Sequence, residues 1–176
     1  MIKMDQLLKK AARIRLAIFD VDGVLTDGSL YLGDDGQEYK AFNSKDGLGM
    51  KLLQSSGVGI AIITARTSQV VLLRMQSLGI EHLYQGRRDK LPAFQELLQQ
   101  LDLQPERVAY VGDDLLDLPI MGRVGLAIAV QDANHEIVKR AHWQTRAKGG
   151  RGAAREVCEL LMQAQGTYQA MLQRFV

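Results

Sequence analysis

The sequence predicts an α/β fold, a Rossmann-like doubly wound parallel sheet with a small β-hairpin insertion. Three observations predict it. Four apolar runs, at residues 16–19, 58–63, 108–111 and 125–130, have strand length and no polar alternation, as strands buried on both faces do. Helix-like stretches lie between them, and strand then helix, repeated, is the pattern of a parallel sheet with crossover helices. The stretch at residues 29–42 differs by alternating around Asp35-Gly36, the mark of a hairpin.

Taken in order, Leu16-Ala17-Ile18-Phe19 is the first strand and the hairpin follows it. Helices are expected over 47–56, 68–78, 91–101 and 116–122, with Leu83-Tyr84-Gln85 placed to add a fifth strand. After Lys148-Gly149-Gly150-Arg151-Gly152, read as a flexible hinge, the spacing Val157, Leu160, Leu161, Ala164, Tyr168, Met171, Leu172, Phe175 is helical to residue 176, interrupted at Gly166. This segment, residues 152–176, is either a last core helix with a frayed tail or a tail whose apolar residues dock on another subunit. No repeat or linker divides the chain, so one domain over residues 1–176 is expected.

Composition narrows the function. With 22 Lys plus Arg against 20 Asp plus Glu, the net charge of +2 gives no reason to expect nucleic acid or an anionic membrane as partner. At 47% hydrophobic and 24% charged, 176 residues can bury a core. Cys158, the single cysteine, cannot form an internal disulfide, and residues 1–5 lack the apolar run of a signal peptide. A cytoplasmic chain without a membrane-spanning helix is expected.

Ligands of open α/β sheets bind beyond the carboxyl ends of the strands. The first run ends in Asp20-Val21-Asp22-Gly23, the second in Thr64-Ala65-Arg66 and the third in Gly112-Asp113-Asp114-Leu115-Leu116-Asp117. Strand periodicity turns Asp20 and Asp22 toward one cavity. Three or more carboxylates at one edge repel unless a cation neutralises them, and Mg²⁺ suits such hard oxygen donors. His82, His135 and His142 lack metal-ligand spacing, and Cys158 reads as an inert core thiol.

Asp20-Val21-Asp22-Gly23-Val24-Leu25-Thr26 resembles the signature loop of the haloacid dehalogenase superfamily, and Thr64, Lys90 and Gly112-Asp113-Asp114 fall where that superfamily has its other motifs. The resemblance implies phosphoryl transfer through an aspartyl-phosphate. Asp20 would be the nucleophile, Asp22 the general acid and base, Thr64 a hydrogen-bond donor to the phosphoryl group, and Lys90 its counter-charge. Mg²⁺ would be held by the Asp20 carboxylate, the Asp22 carbonyl and Asp113, with Asp114 and Asp117 orienting the metal's surroundings or Lys90.

Only 41 residues separate Asp22 from Thr64, and 25 separate Thr64 from Lys90, too few for the cap domain that covers the site in most relatives. A lone hairpin is marginally stable, so oligomerisation, with neighbouring subunits roofing each other's sites, is expected. The capless pattern, with Phe42-Asn43-Ser44-Lys45-Asp46-Gly47, Gly86-Arg87-Arg88-Asp89-Lys90 and Gly150-Arg151-Gly152-Ala153-Ala154-Arg155, resembles the 3-deoxy-D-manno-octulosonate 8-phosphate phosphatases of bacterial lipopolysaccharide synthesis. That resemblance implies a homotetramer, Mg²⁺ dependence and an eight-carbon sugar acid phosphate as substrate. The substrate's carboxylate and phosphate call for further cations and N–H groups, and Asn43, Ser44, Lys45, Asp46, Gly47, Lys51, Arg66 and Arg74 are the candidates beside Asp22 and Lys90. Three rival readings are a phosphatase for a nine-carbon sialic-type acid, a phosphomutase, which would need a cap, and an inactive oligomerising module, which would have lost a catalytic residue.

Overall fold

A computed structural model describes residues 1–175. Helix α1 (Met4–Ala11) precedes strand β1 (Leu16–Phe19), and the hairpin strands β2 (Tyr31–Leu32) and β3 (Glu38–Tyr39) follow. Then come α2 (Ser44–Ser55), β4 (Gly59–Ile63), α3 (Gln69–Leu78), β5 (His82–Tyr84), α4 (Leu91–Leu101) and β6 (Val108–Gly112). A 3-10 turn at Leu115–Asp117 leads to α5 (Leu118–Met121), β7 (Leu126–Ala129), α6 (His135–Arg140), β8 (Trp143–Gln144), α7 (Ala153–Ala164) and α8 (Tyr168–Leu172).

Six strands form one sheet in the order β5-β4-β1-β6-β7-β8, and every neighbouring pair is parallel. Alternation along each strand feeds two cores. Ala17, Phe19, Ile60, Ile62, Ala109 and Val111 cluster with residues of α1, α2, α3 and α7 on one face. Leu16, Ile18, Ala61, Ile63, Val108 and Tyr110 cluster with residues of α4, α5 and α6 on the other. With helices on both faces, β1, β6 and β7 are buried throughout, and β4 is buried after Gly59, which is why these runs are continuously apolar.

Several boundaries differ from expectation. Helix α2 starts at Ser44 because the Asn43 side chain accepts the Lys45 N–H at 2.8 Å, a local cap that takes up the loop expected before residue 47. Residues 116–122 split into the 3-10 turn and α5. Helices α1 and α6 and strand β8 were not expected; α6 and β8 are short and carry little periodic signal, whereas α1 is amphipathic and buries Leu7 and Ala11. The Gly149-Gly150 run is no free hinge, since Gly150 N–H donates to the Val24 carbonyl at 2.8 Å and Gly149 N–H to Asp132 Oδ1 at 3.0 Å. It clamps the loop that follows β1.

Both readings of the C-terminal segment are partly corrected. Tyr168 and Met171 of α8 pack on the chain's own core, while Phe175 is exposed and Val176 lies outside the described residues. Among the described residues no helix is long and apolar enough to cross a membrane.

The clamp makes a stability prediction. Gly150 has φ +63° and a Cβ there would overlap the Thr26–Asp27 backbone, whereas Gly57, at φ +95°, faces open space. Gly150→Ala should therefore cost roughly 3 kcal/mol and Gly57→Ala about 1 kcal/mol in denaturant unfolding. Equal costs would mean that the clamp contributes nothing.

Candidate active site

The register of the sheet assembles the site. Phe19 pairs with Ile62 of β4 and Val111 of β6. The residues that follow, Asp20, Thr64 and Asp113, therefore leave three adjacent strands at one edge. Thr64 is buried, as is Lys90 at the start of α4. Lys90 reaches the edge from the face that holds Tyr110, and its Nζ lies 2.9 Å from Asp20 Oδ2, 2.7 Å from Asp117 Oδ1 and 3.3 Å from the Tyr110 hydroxyl.

Asp117 ties this group together. Its Oδ1 also accepts the Tyr110 O–H at 2.6 Å, and its Oδ2 accepts the N–H groups of Asp113 at 2.9 Å and Asp114 at 3.2 Å. Asp114 caps the 3-10 turn reciprocally with Asp117 and accepts from Asn134 Nδ2 at 3.3 Å. The sequence reading missed Tyr110, although a lone hydroxyl in an apolar strand was a visible signal.

Charge is the cost of this arrangement. Burial pushes the Asp113 carboxyl up to about 8, helped by repulsion from Asp20 and Asp117. Burial raises Asp20 to about 6, against the pull of Lys90. Burial also works against the charge of Lys90, but Asp20 and Asp117 win and hold its pKa above the usual lysine range.

One oxygen each of Asp20, Asp113 and Asp117 lie within 4.8 Å of one another, and Asp113 Oδ1 is buried without a hydrogen-bond partner. Gly23 leaves room for that carboxylate, since a Cβ there would overlap it. A hard divalent cation fits this donor set. Because Asp117 already accepts four hydrogen bonds, Asp20 and Asp113 are the carboxylates free to bind it.

Asp22 follows another path. The strand ends at Phe19, so loop geometry and not strand alternation sets its direction. Its Oδ1 is paired with Lys40 Nζ, and its Oδ2 lies 4.0 Å from Arg66 Nε. Glu38 Oε1 bridges the two cations, 3.3 Å from Lys40 Nζ and 3.0 Å from Arg66 Nη2. Glu38 and Lys40 belong to the hairpin and were not singled out in the sequence.

The remaining candidates separate into two groups. Asn43, Ser44 and Lys45 line an open groove of about 340 Å³ with Asp27, Phe42, Gly150 and Arg151. Asp46, Gly47 and Arg74 are turned elsewhere, around a pocket of about 10 Å³ that Asn43 and Phe42 also line and that has room for no more than one water. The Asp46 carboxylate accepts the N–H groups of Arg155 at 2.7 Å and Gly152 at 3.2 Å, capping α7, and Arg74 lies over the Phe42 ring at 5.8 Å. Lys51 is exposed on α2, outside both groups.

Fold and site together define a haloacid dehalogenase-like hydrolase, whose family profile matches residues 82–156. The chain is 53% identical to the 3-deoxy-D-manno-octulosonate 8-phosphate phosphatase KdsC of Yersinia pestis over 92% of its length and 86% of that protein's. It is 54% identical to KdsC of Escherichia coli K12, over 91% and 85%. The crystal structure of the Moraxella catarrhalis 3-deoxy-D-manno-octulosonate 8-phosphate phosphatase, in complex with magnesium, phosphate and a KDO molecule, superposes with a TM-score of 0.97 at 40% identity, covering 99% of this chain and all of that one. The chain belongs to the 3-deoxy-D-manno-octulosonate 8-phosphate phosphatase family.

The raised carboxyls predict how Mg²⁺ and pH act together. A carboxyl whose folded pKa is raised stabilises the fold below its unfolded pKa, and that stability is lost as pH rises through the folded value. For Asp20 and Asp113 the window runs from the ordinary 3.8 up to about 6 and about 8. Mg²⁺ should therefore raise Tm more at pH 8 than at pH 5, where it must displace protons. At pH 8, Asp113→Asn should melt higher than the metal-free parent by roughly 3 °C and gain little from Mg²⁺; a Mg²⁺ shift independent of pH would contradict the assignment.

Proposed function

We propose that this chain hydrolyses 3-deoxy-D-manno-octulosonate 8-phosphate to the free sugar acid and phosphate, in lipopolysaccharide synthesis. The observation that carries this reading is Lys90 bridging Asp20 and Asp117 beside the unpartnered Asp113 oxygen. When bound, Mg²⁺ would be held by Asp20, Asp113 and the Asp22 carbonyl and would supply positive charge to the phosphoryl group.

In the first step an Asp20 carboxylate oxygen bonds to phosphorus, in line with the ester oxygen. The P–O ester bond breaks, and its electron pair goes to the sugar oxygen, which takes the proton of Asp22. In the second step water bonds to phosphorus and gives a proton to Asp22, the bond from Asp20 to phosphorus breaks, and phosphate leaves. Lys90 and the Thr64 hydroxyl stabilise charge on the phosphoryl group. Lys90 is fit for this because its four-carbon stem is buried and its ammonium is fixed by three oxygens.

The groove beside Asn43, Ser44 and Lys45 is wide enough for a sugar acid, and Lys45 and Arg151 give it positive charge. Arg66, beside Asp22 and Glu38, is a further cation for the same substrate. Asp46, Gly47, Lys51 and Arg74 are not assigned substrate contacts.

The same reading makes the chain one domain, over residues 1–176, that works in the cytoplasm as a homotetramer whose neighbours roof each other's sites. The free, buried Cys158 thiol suits a reducing compartment. Leu30, Tyr31, Leu32 and Tyr39 leave the hairpin with a half-exposed apolar surface, and strands of two residues do not hold such a surface unaided.

Phosphate release from eight- and nine-carbon sugar acid phosphates, with and without Mg²⁺, tests the substrate. The eight-carbon substrate should be preferred, and Asp20→Asn should lower turnover at least ~1,000-fold. Activity surviving that substitution, or a preference for the nine-carbon acid, would overturn the corresponding part. Light scattering should find a tetramer; an active monomer would remove the roofing role.

A further inference from the structure

The proposed chemistry has no use yet for the most deeply buried cation outside the phosphate-facing cluster. The Lys40 side chain is 1% exposed, against 45% for Arg66, although Lys40 stands just after β3 on an otherwise exposed hairpin. Its ammonium lies between two carboxylates, Asp22 and Glu38. A desolvated ammonium between two acids is held in place, whereas Arg66, half-exposed and 4.0 Å from Asp22, holds that carboxyl less closely. We propose that Lys40 is a positioning residue for the reaction, carried into the site on the hairpin: its ammonium fixes the Asp22 carboxyl on the side where the sugar oxygen leaves, and Glu38 fixes Lys40.

The atoms of this network divide the work. Lys40 donates to Asp22 Oδ1, which leaves Oδ2 as the atom that passes a proton to the leaving oxygen. Glu38 Oε1 accepts from Arg66 Nη2 at 3.0 Å, which ties the hairpin to the loop after β4. Asp22 is thus aimed by a segment that closes from the same chain, whatever a neighbouring subunit adds above it. Lys90 meets the opposite side, on Asp20, so each of the two acids has its own buried lysine.

This inference rests on the phosphatase reading and is separable from it by the leaving group. An alkyl oxygen must be protonated as it departs, whereas p-nitrophenolate leaves as a stable anion and needs no acid. A residue that works through Asp22 matters for the first and not for the second. A residue that binds the phosphoryl group, or merely holds the fold, matters equally for both.

The experiment measures kcat/KM, with Mg²⁺ and the full-length protein, on 3-deoxy-D-manno-octulosonate 8-phosphate, glycerol 3-phosphate and p-nitrophenyl phosphate. Lys40→Met should lose about 10- to 100-fold on the two alkyl phosphates and less than about threefold on the nitrophenyl ester. Lys40→Arg should restore most of the loss, and in an Asp22→Asn background Lys40→Met should cost little more. Glu38→Gln gives a second, milder variant, expected to show the same substrate dependence should Lys40→Met fold poorly. Equal losses on all three esters, or losses that simply multiply with Asp22→Asn, would overturn the positioning role. A parent protein that hydrolyses glycerol 3-phosphate but not the sugar acid phosphate overturns the proposed substrate alone, and Lys40 is then judged on the other two esters. A parent inert on all three overturns both.

Discussion

One buried lysine facing three carboxylates is the constraint on which this structure turns. Asp20 and Asp113 stand at the ends of adjacent parallel strands, with Asp117 on the 3-10 turn beside them; burial makes these like charges costly, and Lys90 is the cation paired with Asp20 and Asp117. The protein meets that cost by fixing everything around the lysine. Asp117 is saturated by Lys90, Tyr110 and two backbone N–H groups, so it acts as structure. Asp20 and Asp113 keep their charge problem, and a divalent cation would relieve it.

The rest of the fold serves this geometry. Sheet register brings β1, β4 and β6 to one edge, and the two-sided core holds the strands so that the register cannot slip. The Gly149-Gly150 clamp presses on the loop between Val24 and Asp27, and Asp46 caps α7 to keep the clamp where it is. The hairpin adds a second layer, with Lys40 on Asp22 and Glu38 on Arg66 of the loop after β4. The chain thus assembles its reactive groups from tight backbone contacts.

Much of this was legible in the sequence, for physical reasons. Short apolar runs of strand length, alternating with helical stretches, read as two-sided strands, so the parallel sheet and helices α3 and α4 were readable. Carboxylates and a threonine just past those runs marked the edge where Asp20, Thr64 and Asp113 meet. Lys90 was found by motif order, and its pairing with Asp20 follows from α4 packing on the Tyr110 face. What sequence could not give was direction. Asp46 sits beside Asn43 and Lys45 in the chain, and Arg74 was a candidate for its charge, yet helix geometry turns them toward α7 and Phe42. Lys40 reads as a hairpin surface charge, and only the tertiary fold buries it. Strand β8 and helix α6 were too short to announce themselves by period.

The central claim is that Asp20, charged and held by Lys90, takes the phosphoryl group. It is tested most directly by quenching the protein in acid during turnover of the sugar acid phosphate and mapping the trapped phosphoryl group by mass spectrometry. The account predicts a single phosphoryl group on the peptide that contains Asp20, absent from Asp20→Asn. A phosphoryl group on another residue, or full turnover with none trapped on Asp20 even when water attack is slowed by Asp22→Asn, would contradict it.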